Sequence, residues 1–282
     1  MIKNICKKLD FPDEATEFLS KTFDELNAYE DFLAVMDPFF LTDTNEYIDM
    51  LAEIAKKHNQ NRYVTDMLFL LLATKPLRYI YHQQGLPEEI FWDSVKDLKY
   101  KLIECKNMHN IWGTFVLAWF RGFYKLNLFS LGRLEFEKFI IGYDYKDLVK
   151  KGDFVLNCHI PSSGPLTPEL VDDSLKRAYE FFGYNGKPMV VYCHSWMLFP
   201  EIYKNVFPKG SNLSKFYERF DVLEDKATDD FESRNLWRIF YKEKLEDITP
   251  DDLNTSLTKN LYTFLKNGGN MGIGEGFIVY KP

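Results

Sequence analysis

Apolar residues follow two different periods along this chain, and the change between them divides it. From 12 to 36, Pro12, Asp13 and Glu14 form a first turn, and Ala15, Phe18, Leu19, Thr22, Phe23 and Leu26 recur every three or four residues. That spacing puts them on one face of a helix. Tyr47, Ile48, Leu51 and Ile54 repeat the pattern over 43–57. The segment 61–73 is apolar on nearly every side, which predicts a buried helix closed or kinked at Lys75-Pro76. Ile90, Phe91, Val95, Leu98 and Leu102 predict a further helix over 88–103, and a Trp- and Phe-rich one follows over 110–124.

Beyond Leu128 the period shortens. RLEFEKFII (133–141) and DFVLNCHI (153–160) alternate or run apolar as strands do, and a loop with Gly142, Asp144 and Gly152 joins them. Thr167-Pro168-Glu169 is a helix start with a Thr cap and Pro in the first turn, and that helix runs to Phe182 before Gly183. PMVVYCHSW (188–196) is a buried-type strand, and 212–220 a short helix followed by DVL. A strand at 236–241, a capped helix at 255–266, the turn NGGNMGIGEG and a strand at 277–280 complete the reading. The boundary falls near 125 and is drawn at 127/128. The expected class is α+β, a helical region 1–127 followed by a mixed sheet flanked by helices over 128–282.

Composition narrows the function classes. Hydrophobic residues make up 46% of 282 positions, enough for packed cores. The 35 Lys and Arg against 42 Asp and Glu leave a net charge of −7, with no basic patch. Nucleic acid and anionic membrane surfaces are therefore unexpected partners. The longest apolar run, MLFLLLA at 67–73, is far short of the roughly 20 residues that cross a bilayer. The N-terminus lacks the long apolar stretch of a secretion signal. Cys6, Cys105, Cys158 and Cys193 are widely spaced with no CxxC pair, as expected of reduced thiols in the cytoplasm.

Five segments carry a more specific signal: LGRLEFE (131–137), HIPSSGPLTPELVDDSLKRAYEFF (159–182), CHSWMLFPE (193–201), SNLSKFYERF (211–220) and TSLTKNLYTFLKNGG (255–269). Together they resemble a bacterial two-domain GNAT-like acyltransferase family, in which a helical N-terminal domain precedes a GNAT-like C-terminal domain. The resemblance implies an acyl-CoA co-substrate, acetyl-CoA or longer, or an acyl carrier. Its thioester would lie where the strands at 153–160 and 188–196 splay apart. It implies donor contacts at Ile160, Ser162, Ser163, Gly164, Leu166, Thr167 and Ser195, a small amine-like acceptor, and no metal. The turn departs from the family's Gln/Arg-x-x-Gly-x-Gly/Ala pattern: Pro161-Ser162-Ser163-Gly164-Pro165-Leu166 has one Gly, and Pro165 lacks an N–H. A non-catalytic acyl-CoA-binding module is accordingly the alternative reading.

Acyl transfer to an amine needs a route for the amine proton, a donor for the carbonyl oxygen and a proton for the leaving thiolate. Tyr217 matches the family's thiolate acid, or is a core aromatic. His159 ends a central strand at the edge where open α/β sheets bind ligands, and serves as base or braces the turn after it. Glu135 and Glu137 share a strand face, as carboxylate bases or as a solvent-facing edge. Cys158-His159 and Cys193-His194 suggest zinc or a Cys-dependent hydrolase, but adjacent strand residues point to opposite faces. Gly272, Gly274 and Gly276 follow a helix rather than open one, so they predict a loop and not a dinucleotide site, with room for a substrate near the backbone.

Overall fold

In the computed structural model the described residues are 1–228 and 236–282, and they form two compact units, Met1–Ser130 and Leu131–Pro282. The first unit holds helices α1 (Ile2–Lys8), α2 (Asp13–Leu26), α3 (Tyr29–Leu41), α4 (Glu46–Lys57), α5 (Arg62–Gln83), α6 (Glu88–Val95), α7 (Asp97–His109) and α8 (Leu117–Tyr124). Two expected helices are each broken in two. Asn27 adopts the left-handed conformation (φ 47°) and divides 12–36 into α2 and α3, and Lys96 separates α6 from α7. Conversely α5 continues past Pro76 to Gln83, where closure or a kink was expected. Thirteen buried residues along α5 hold it in the core, so packing outweighs the roughly 3 kcal/mol that an interior proline costs. Residues 110–116 are not helical, because Asn110 (φ 56°) caps α7.

The second unit is built on a mixed sheet in the order β1-β2-β3-β4-β6-β5, and the division between the units falls within β1. The strands are β1 (Leu128–Leu131), β2 (Leu134–Ile140), β3 (Phe154–His159), β4 (Met189–Ser195), β5 (Asp221–Thr228) and β6 (Ile273–Tyr280). The helices are α9 (Pro168–Phe181), α10 (Pro200–Asn205), α11 (Asn212–Tyr217), α12 (Trp237–Phe240) and α13 (Ser256–Lys266). The expected strand at 236–241 is the helical turn α12, whose Phe240 packs in a core cluster with Phe199, Ile202, Leu261 and Met271. Strand β6 begins at Ile273, inside the expected Gly-rich loop.

β3 and β4 pair in parallel, whereas β2–β3, β4–β6 and β5–β6 are antiparallel. On one face, Val155, Tyr192 and Phe277 pack with Ile141, Tyr145 and Val149 of the β2–β3 loop. On α9, Val171, Leu175 and Ala178 form the buried stripe that the 3.6-residue period predicts, and the helix packs on β2.

Candidate active site

Register locates the site. The parallel ladder pairs Leu156 with Val191 and Asn157 with Tyr192, whereas β3 continues to His159 and β4 to Ser195. The two strands thus part company at their C-terminal ends, where open sheets place ligands. Cys158 and Cys193 are buried just past the last pair. A hydrogen bond to Cys193, reinforced by burial, raises the Cys158 thiol well above its ordinary pKa. That is the reverse of an activated nucleophile. His159 points to the opposite face, as strand alternation requires.

The turn after β3 is anchored from below. Arg133, preceding β2, donates from Nε to Pro165 O (3.0 Å) and from Nη2 to Gly164 O (2.9 Å). Ser174 Oγ on α9 accepts from the backbone N–H of Arg133 (2.7 Å) and Leu134 (3.2 Å). A trans peptide directs its N–H opposite to its carbonyl, so the Leu166 N–H points away from the guanidinium. Gly164 has φ +122°, open to glycine and costly for other residues. Thr167 caps α9 by accepting from Leu170 N–H (3.4 Å), so the turn ends on the positive pole of a 14-residue helix. Ser162 and Gly164 are exposed, Ile160 and Ser163 are half-buried, and Leu166 is buried. Ser195 Oγ accepts from Met197 N–H (3.2 Å), turning the chain after β4.

On the face opposite the thiols, the antiparallel register sets Glu135 beside His159 and Glu137 beside Asn157. Glu137 Oε2 lies 3.0 Å from His159 Nε2 and 3.3 Å from Asn157 Nδ2, and Asn157 Nδ2 is 3.2 Å from His159 Nε2. His159 and Glu137 side chains are 24% and 30% exposed, so a substrate can reach them. Glu135 is buried (2% exposed), which corrects the expectation of a solvent-facing edge at that position. The same face continues through His194, in register with Glu275, and Tyr143 donates to Glu275. Burial first, and then Glu275, push the Tyr143 phenol upward, so it stays protonated.

Tyr217 is the last residue of α11 and stacks on Tyr203 at 3.9 Å with the rings nearly parallel (5°). Burial raises its pKa, with Glu224 and Tyr203 adding to the shift; the phenol therefore holds the proton that a thiolate acid must give. Asn157, Arg133, Tyr143 and Glu275 escaped the sequence reading. Asn157 was accessible, two residues before His159 on the same strand face. Glu275 was hidden because β6 starts inside a Gly-rich stretch.

Gly272, Gly274 and Gly276 do not leave space for a substrate. A Cβ at Gly274 would lie 2.1 Å from Leu198 O, and one at Gly272 would lie 2.5 Å from Thr228 O. Gly274 admits the backbone after β4, Gly272 the Phe199 ring and the Thr228 carbonyl of β5, and Gly276 Phe220 and the Asp221 carbonyl. Among the described residues no helix is long and apolar enough to cross a membrane, and no group of three His, Cys, Asp or Glu side chains could hold a metal ion.

A parallel strand pair that parts beside a capped helix, flanked by antiparallel strands, fits a GNAT-like architecture. The chain belongs to that family: residues 128–278 match the GNAT-like C-terminal domain, and residues 1–126 match the N-acyltransferase N-terminal domain. Its fold is similar to that of an acyltransferase solved in complex with decanoyl-CoA and teicoplanin (TM-score 0.76, 19% identity, covering 99% of this chain and 88% of that one). An acyltransferase variant in complex with octanoyl-CoA matches at TM-score 0.75 and 19% identity, covering 99% and 88%. A further acyltransferase complex with decanoyl-CoA matches at TM-score 0.67 and 19% identity, covering 99% of both chains. No curated protein matches the chain.

Proposed function

We propose that this chain moves an acyl group from an acyl-CoA thioester to an amine or similar small acceptor. The observation that carries the reading is the β3–β4 ladder that stops at Asn157–Tyr192 while both strands run on, beside a turn ending on the α9 N-terminus. The family and the acyl-CoA complexes of the structural neighbours support it. The donor arm enters the gap, with its phosphates at Ile160, Ser162, Ser163, Gly164, Leu166 and Thr167, and Ser195 on the β4 side. The acceptor amine attacks the thioester carbon and loses its proton to His159, which Glu137 orients, with Glu135 as the second carboxylate on the same strand face. Collapse of the tetrahedral intermediate breaks the C–S bond, and Tyr217 protonates the departing thiolate. An acyl-CoA donor favours a cytoplasmic location. Structural neighbours solved with teicoplanin bound make a teicoplanin-type molecule one candidate acceptor.

Calorimetric titration of the full chain with CoA, acetyl-CoA and decanoyl-CoA tests the reading. Saturable binding is expected; no heat and no thermal shift at millimolar ligand would overturn it. The single Gly in the 161–166 turn favours a second reading, a module that binds acyl-CoA without turning it over. Thioester turnover that disappears in Tyr217→Phe or His159→Ala excludes that version.

A further inference from the structure

The helical unit contains a cavity of about 500 Å³ between α1, α5 and α6, within the range of small-molecule sites. Its apolar lining includes Leu71, Leu72, Tyr81 and Phe91. All four are buried.

The rim has a different chemistry. Lys75, Arg78, Tyr79 and His82 line it at the three- and four-residue spacing that puts them on one side of α5, and all four are exposed. Lys8 reaches over Trp92 from α1 (4.8 Å to the ring centroid), and Arg78 lies over the same ring (5.6 Å). Glu88 fixes this wall by accepting from Arg78 (2.5 Å) and from Trp92 Nε1 (3.0 Å). Three permanent cations therefore border the cavity against one carboxylate, in a chain whose net charge is −7. A greasy floor beneath a cationic, aromatic mouth fits a molecule that is apolar at one end and anionic at the other.

We infer that the α1–α5–α6 cavity binds a single-chain amphiphile with an anionic head, a fatty carboxylate or an alkyl phosphate, its chain over Leu71, Leu72 and Phe91 and its head at Lys8, Lys75 and Arg78. The site lies wholly within the first unit and does not depend on acyl transfer in the second.

The test uses the full chain with dodecanoate, dodecyl phosphate and dodecanol, and a diazirine-bearing fatty acid for mapping. Photoadducts are expected on α1 and on 71–92; adducts confined to 131–282, or none, overturn the inference. Ile5→Trp, which fills the cavity from α1, should abolish those adducts, and their persistence would count against the site. Lys75→Glu changes an exposed residue and should leave folding intact. It should weaken dodecanoate and dodecyl phosphate at least fivefold while leaving dodecanol unchanged. Equal weakening of all three, or of none, removes the headgroup assignment. Whichever anion binds more tightly identifies the head, and each added CH₂ should tighten binding about fourfold.

Discussion

Strand β4 has two neighbours and treats them differently. Toward β6 it forms seven register pairs, from Met189–Tyr280 to Ser195–Gly274, and is sealed to its end. Toward β3 it forms two, and the strands separate where the polar side chains gather. One strand thus carries a sealed seam on one edge and, on the other, the gap proposed for the donor. The difference shows where the fold resists change and where it leaves room for chemistry.

The seam should break hardest. Gly274 lets the backbone after β4 approach β6 so closely that a Cβ would lie 2.1 Å from Leu198 O and 2.5 Å from Leu198 C. Both are main-chain atoms, so no rotamer change relieves the clash. Gly274→Val is expected to cost more than about 4 kcal/mol and to abolish cooperative unfolding in a urea titration. A variant that melts like the parent would show the seam to be far looser than its register implies.

The gap should break in rate rather than in stability. His159→Ala removes the group proposed to take the amine proton, and kcat/KM for acyl transfer is expected to fall about 10²- to 10⁴-fold. Glu137→Gln keeps an oxygen near His159 but loses the charge, so a smaller loss of roughly tenfold is expected. Both melting temperatures should stay within a few degrees of the parent, since both side chains are partly exposed. Parent-like turnover in His159→Ala would move the proton route elsewhere on this face.

How far the sequence revealed this contrast depended on local signals. Strands β2, β3 and β4 and helix α9 were legible because their period, cap and flanking turns agree, and the five quoted segments pointed to the GNAT-like family. Long-range pairing decided the rest. Nothing local shows that Glu275 stands opposite His194, because β6 reads as a glycine loop until its partner strand is known. Helix α5 passing through Pro76 and α12 replacing an expected strand are cases in which core burial overrode local preference. Arg133 was visible within LGRLEFE, but its grip on Gly164 and Pro165 needed the turn's geometry.

The smallest effect tests what holds the β2–β3 loop over the sealed side. Tyr145 stacks on Phe277 of β6 at 3.9 Å, and its hydroxyl donates to Asp221 Oδ2 on β5 (2.8 Å), which also pairs with Lys146 (2.6 Å). The Lys146 ammonium, followed by the Tyr145 hydroxyl, holds the Asp221 carboxyl below its ordinary pKa of 3.8. A depressed carboxylate stabilises the fold above the unfolded value, and that contribution is lost as pH falls below about 3.8 through the lower folded value. Water screens the pair, because the Asp221 and Lys146 side chains are 46% and 60% exposed. Asp221→Asn should therefore cost only a few tenths of a kcal/mol at pH 7. The deficit should shrink as pH falls below about 3.8, as read by paired urea titrations. A loss above about 1 kcal/mol would mean that charge pins the loop, whereas the stacked Tyr145–Phe277 pair, buried and indifferent to pH, is expected to carry most of that attachment.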